Sequence, residues 1–173
     1  SASASVTELA DNFSSGGTVE NPFTHTRTGQ LSFTDVDLTD THTAAFTPVG
    51  TSYLGTFALG TVLNNDPTDN AGKFAWTFSI DDSALDLYAV TQSLTQTYTV
   101  TVDDGHGGTS NQVVTITLTG TNDAPILVTT GSGDSASASV TELGDNFSSG
   151  GTVENTFTHT RTGQLSFTDV DLT

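Results

Sequence analysis

The chain has 173 residues, 34% of them hydrophobic, which suits one domain and part of another around a modest core. Twenty acidic against three basic residues give a formal charge of -17, which excludes nucleic acid and anionic membrane as partners, since both need clustered Lys and Arg, and makes cations the natural partners. No cysteine is present for disulfides or thiolate metal sites, no apolar run approaches a membrane span, and "SASASVTELA" at the N-terminus has no leader pattern.

In chain order, period-2 alternation predicts strands over residues 4–8, 30–35, 41–46, 55–59, 73–80, 95–103 and 111–120. The fold class is therefore all-β, a seven-stranded antiparallel Greek-key sandwich. Its inner rows are Leu31 and Phe33; Phe74, Trp76, Phe78 and Ile80; Tyr98, Val100 and Val102; and Val114, Ile116 and Leu118, with Thr and Ser facing outward. A helical turn is expected over 81–89 in "DDSALDLYA", and turns at "SSGG", "NNDPTDN" and "DDGHGG".

Ser1 to Thr39 recur as Ser135 to Thr173 with two changes, Ala10 to Gly144 and Pro22 to Thr156, a period of 134 residues (135 minus 1). Near-identity over that span points to a tandem array of whole domains. Residues 1–127 form a complete repeat ending in the "TGTNDAP" linker, and 128–173 hold the rest of the linker and the start of the next repeat. The chain reads as a piece of a longer array.

Because side chains alternate, Leu31, Phe33, Asp35 and Asp37 share a face, as do Tyr98, Val100, Val102 and Asp104. Both rows turn from apolar to acidic at the same pole, where Asp35, Asp37, Asp40, Asp103 and Asp104 should converge. Crowded carboxylates repel by about 1 kcal/mol per pair in water, so the cluster needs a cation or protons, and an all-oxygen donor set suits calcium (Ca2+). His25, His42, His106 and His159 lack zinc-like spacing and read as exposed spectators, while Trp76 reads as core. No nucleophile elbow is present and no cleft for paired carboxylates is expected, so the chain does not read as an enzyme.

"GQLSFTDVDLTDTHT" and "TQTYTVTVDDGHGGTSNQVVTITLTGTNDAP", together with the period, resemble VCBS repeats, cadherin-like (bacterial Ig-like) extender domains of large RTX adhesins exported by type I secretion. The resemblance covers nearly the whole unit. It implies a calcium-stiffened stalk at the bacterial cell surface, anchored in the outer membrane or secreted, that supports adhesion or biofilm formation. Neighbouring repeats of the same polypeptide are its partners. The likeness to cadherin junctions further implies a ligand set of Glu8, Asp81 or Asp82, Asn122 and Asp123, with Asp169 and Asp171 from the second copy.

A spacer and a calcium-dependent module for exopolysaccharide are the two functional readings. The second needs an exposed aromatic beside polar groups, for which Tyr53 is the candidate. The second copy cannot cover Leu165 and Phe167 by itself, so residues 135–173 are expected to pair or exchange with another molecule.

Overall fold

The computed structural model describes the chain except for residues 1, 15–16, 20, 65–67, 69, 130, 149, 154–155, 170 and 172–173. The central part of the turn expected in "NNDPTDN" and two residues of "SSGG" lie outside the described residues. The chain divides into two compact units, 1–123 with 170–173, and 124–169.

In the first unit the strands are β1 (Ala2–Thr7), β2 (Asn12–Ser14), β3 (Gly17–Val19), β4 (Thr24–Thr34), β5 (Thr43–Pro48), β6 (Thr56–Leu59), β7 (Ala71–Asp81), β8 (Ser93–Asp103) and β9 (Thr109–Thr119). One sheet has the order β1-β9-β8-β5 and the other β4-β7-β6, while β2 and β3 form a small hairpin. Each predicted strand has its counterpart. The all-β class holds, with no α-helix among the described residues.

Two expectations need correction. The first sheet is mixed, because β1 runs parallel to β9, from Ala2 opposite Val114 to Thr7 opposite Thr119. These neighbours are separated by the whole body of the unit, so no tight turn dictates their direction. The helical turn is also shorter than expected, a 3-10 turn at Asp82–Ala84 closed by Leu85 N–H donating to the Asp82 carbonyl at 2.7 Å. What it achieves is the complete burial of Leu85.

The core forms where the inner rows of the two sheets meet. Val6, Tyr98, Val100, Val114, Ile116 and Leu118 come from one side, and Phe57, Phe74, Trp76, Phe78 and Ile80 from the other, all buried. Phe57 stacks on Tyr98 across the layers with ring centroids 4.2 Å apart, and on Trp76 at 5.8 Å. Each such side chain contributes roughly 1.5–3 kcal/mol of transfer free energy, so this cluster closes the domain. Trp76 is core, as its phase with Phe74 and Phe78 predicts. Leu31, Phe33 and Val102 pack at its margin, half-buried.

Polar residues also occupy the inner rows. Gln96 is in phase with Tyr98 and is buried, accepting from Leu54 N–H at 2.6 Å and donating to the Leu54 carbonyl at 3.1 Å, which pins that loop over the core. β4 begins at Thr24 rather than residue 30, because Thr24–Gly29 also ladders with β7 although His25, Arg27 and Gly29 interrupt the apolar row. Gly29 lies opposite Trp76, whose indole occupies the space that a β-carbon would need.

In the second unit β10 (Ile126–Val128) pairs with β13 (Ser166–Thr168), and β11 (Asn146–Ser148) with β12 (Gly151–Val153). Every buried hydrophobic among the described residues lies in the first unit.

Gly29→Ala would drive a methyl into the Trp76 ring with no flexible chain end to yield, so it should destabilise the domain by about 1–3 kcal/mol. Urea unfolding followed by Trp76 fluorescence checks this. A stability equal to that of the parent would mean that the indole is not seated against β4.

Candidate metal sites at the two poles

The first unit carries acid at both ends. At one pole β4 and β8 deliver Asp35 and Asp104, and a carboxylate oxygen from each, with one from Asp40, lies within 4.8 Å of the others. The convergence expected from the two alternating rows is present for these three. Asp37 does not follow the row, because its N–H donates to Asp35 Oδ1 at 2.9 Å in a turn that swings its own side chain outward and exposed. Asp103 spends an oxygen on Gly105 N–H at 2.7 Å.

Backbone donors favour the ionised forms of Asp35 and Asp104. Asp104 accepts from His106 N–H at 2.7 Å and Gly108 N–H at 2.9 Å, which lowers its pKa. That loop requires the glycines of "DDGHGG", since Gly105 and Gly107 have φ of 75° and 102°. Asp35 is likewise lowered, first by Asp37 N–H and then by His42. A cavity of about 340 Å³ opens here, lined by Phe33, Asp35, His42, Val102 and Asp104 among others.

At the opposite pole the carboxylates are buried. Glu8 follows β1 and its Oε2 accepts from Thr121 N–H at 2.6 Å. Asp11 N–H donates to Asp123 Oδ1 at 2.7 Å, and Asp123 N–H donates to Asp171 Oδ2 at 2.6 Å. Asp82 Oδ1 accepts from Leu9 N–H at 3.0 Å. Glu8, Asp11, Asp82 and Asp123 are all buried, and Asp171 half-buried. Desolvation pushes the Glu8 carboxyl up to about 7, partly opposed by Thr121 N–H and reinforced by the charges of Asp123, Asp86 and Asp82.

Asp82, not Asp81, joins this pole, because Asp81 is exposed and accepts from Thr24 Oγ1 at 2.7 Å. Asn122 is exposed and donates to the Asp123 carbonyl at 2.7 Å, and Asp169 is half-buried. Asp11 and Asp86 are additions that the sequence reading missed. Asp11 lies three residues beyond Glu8 in "ELAD", but its approach to Asp123 depends on a long-range contact that no local pattern encodes.

The histidines correct a further expectation. His25 and His42 are buried, with Nε2 of His25 2.6 Å from Asp82 Oδ1 and Nε2 of His42 3.0 Å from Asp35 Oδ2. Exposed His106 has Nδ1 3.3 Å from Asp40 Oδ2. Each pole therefore has histidine set on its carboxylates. The β4–β7 register carries the signal for one pair: His25 lies opposite Ile80, so Asp82 follows two residues on along the same row.

The buried pole carries uncompensated acid, whereas the oxygens of Asp35, Asp40 and Asp104 at the other pole lie close enough together to hold a metal ion. Oδ2 of Asp11 and Oδ2 of Asp82 are buried without a hydrogen-bond partner, an arrangement that costs folding free energy unless something positive meets them. The donors are carboxylates and backbone groups with no thiolate, and the chain has too few basic residues to supply the charge.

Burial of Glu8 sets a pH dependence in the absence of cation. Its folded pKa of about 7 exceeds the ordinary 4.5, so the folded state holds the extra proton between those values and stability falls as pH rises through that window. Asp35 and Asp104 act in the opposite sense, losing their contribution only as pH drops below 3.8 towards their lowered folded values. In chelator, the urea midpoint should be higher near pH 5 than near pH 8, and Glu8→Gln should flatten the difference. An unchanged slope in Glu8→Gln would mean that Glu8 does not titrate in this range.

Neither a family model nor a curated protein sequence matches the chain.

Proposed function

We propose that the chain is a spacer built from tandem domains whose acidic poles bind calcium and are stiffened by it. The reading takes the two sheets as the seven-stranded Greek-key sandwich of a cadherin-like repeat. One observation carries it: Asp171, supplied by the second copy, reaches the Asp123 backbone beside the buried oxygens of Glu8, Asp11 and Asp82. A cation held there draws ligands from two successive repeats, and so restrains the linker between them. Calcium suits the site because it accepts six to eight oxygens in flexible geometry, whereas magnesium demands a tighter octahedron. The wider setting, an extracellular stalk of a bacterial adhesin serving adhesion or biofilm formation, rests on the resemblance to VCBS repeats.

The carbohydrate-binding reading loses its aromatic. Tyr53 is half-buried, its hydroxyl donates to the Thr97 carbonyl at 2.8 Å, and its ring packs against Tyr98 at 5.2 Å between centroids. Its hydroxyl and part of its ring are thus engaged by the fold.

Calcium should raise the melting temperature of the whole chain and chelator should reverse the gain, by about 4 kcal/mol at a thousandfold excess over Kd. Magnesium should recover little of it. Asp82→Asn should remove calcium sites at the linker pole, and Asp35→Asn those at the other, leaving distinct residual stoichiometries by calorimetry. A melting curve unmoved by calcium would overturn the reading.

A further inference from the structure

The two sheets of the first unit part along one side. β1 covers β9 from Val114 to Thr119, so the stretch from Thr109 to Val113 pairs with β8 on one side and, among the described residues, with no strand on the other. In the facing sheet β4 is an edge strand, the order being β4-β7-β6. Between these two edges lies a cavity of about 120 Å³ with an apolar floor of Leu31, Phe33, Phe74, Val100 and Val102, and it shares Phe33 and Val102 with the larger cavity at the Asp35 pole. Leu31, Phe33 and Val102 are only half-buried there. The backbone beside them has a definite direction. Asp35 N–H donates to the Asn70 carbonyl at 3.2 Å and Asp82 N–H to the Phe23 carbonyl at 2.8 Å, so the odd-numbered residues of β4 turn their backbone groups toward β7. Gln30, Ser32 and Thr34 turn theirs toward the open edge.

The second unit shows which segment lies along that edge. Ile126–Val128 pairs antiparallel with Ser166–Thr168, the counterpart of Ser32–Thr34, and sets Leu127 opposite Phe167. The chain then turns and runs parallel to the same stretch, where Ser135 N–H donates to the Gln164 carbonyl at 2.9 Å. Gln164 corresponds to Gln30, so this contact uses the edge that β4 turns away from β7, and the two pairings do not compete. Asp134 closes the turn, its Oδ1 accepting from Ser166 Oγ at 2.9 Å and its Oδ2 from Gly131 N–H at 2.8 Å. Residues directly opposed in an antiparallel pair point to the same face. Leu127 therefore takes the face of Phe167, whose counterpart Phe33 packs against the core.

We propose that the cleft between β4 and β9 is the seat of an Ile-Leu-Val strand supplied by the linker ahead of each repeat, a copy of Ile126–Val128 that ladders with Ser32–Thr34 and places its leucine in the cavity beside Phe33. The strand meets the backbone groups of Ser32 and Thr34, and the leucine covers the half-buried margin of the core. The inference rests on the reading of the chain as tandem domains and does not need calcium. Its consequence is mechanical. Asp123 is held at one end, accepting from Asp11 N–H and donating to Asp171, and Ile126 is held at the other by its ladder, so Ala124 and Pro125 are what remains free between repeats. The ring of Pro125 fixes its φ, which stiffens that joint further.

The test adds residues 124–134, "APILVTTGSGD", ahead of Ser1 in the full chain, as they stand ahead of Ser135. In chelator, hydrogen exchange of the amides within Ser32–Thr34 should slow by about tenfold or more, and the urea midpoint followed by Trp76 fluorescence should rise. The same extension with Leu127→Asp in the added segment should leave both at the values of the parent chain, because an unpaired carboxylate is too costly to place in an apolar cavity. An extension that alters neither measure overturns the seat. Equal gains from the two extensions overturn it as well, since the leucine would then fill nothing. Calcium is absent from every arm, so this experiment and the calcium titration fail independently.

Discussion

A strand buried on one face gathers its carboxylates where its inner row leaves the core, and the rest of this structure depends on that constraint. The inner rows of β4 and β8 are apolar from Leu31 and from Tyr98 onward, and turn acidic at Asp35 and Asp104 as the strands leave the core. With three basic side chains against twenty acids, the chain cannot neutralise those ends itself. Carboxylates therefore collect at two poles under different physical conditions, and the difference decides what each can do.

At the Asp35 pole, backbone N–H groups lower the pKa of Asp35 and of Asp104 and so favour their ionised forms. At the Glu8 pole burial dominates: desolvation and mutual repulsion raise Glu8 to about 7, and two carboxylate oxygens have no donor. The first pole brings three carboxylate oxygens close enough together to hold a metal ion, whereas at the second burial leaves carboxylates uncompensated. Asp171 adds a further carboxylate to the second pole, accepting from Asp123 N–H.

The same economy explains the contrast between the two copies. The core closes only when β1 supplies Val6 and β4 supplies its inner row, and each of these strands depends on a ladder provided by residues far along the chain. In the second copy the nearly identical sequence retains its hairpin and its arginine tie, but among the described residues forms neither long strand. Local propensity therefore accounts for the hairpin, and long-range pairing for the sandwich.

Strand positions, the core rows and the meeting of Asp35 with Asp104 were legible because alternation is a local signal that survives without knowledge of partners. The parallel seat of β1, the burial of His25 and His42, the choice of Asp82 over Asp81 and the arrival of Asp11 at Asp123 were not. Each depends on which strand lies beside which and in what register, and a one-residue slip would send every one of those side chains to the other face. The sequence by itself thus determined the all-β class, the repeat and the acidic ends of the rows. Only the tertiary structure decided which acids are buried together, because desolvation is a property of the neighbours that surround a carboxylate and not of the residue itself.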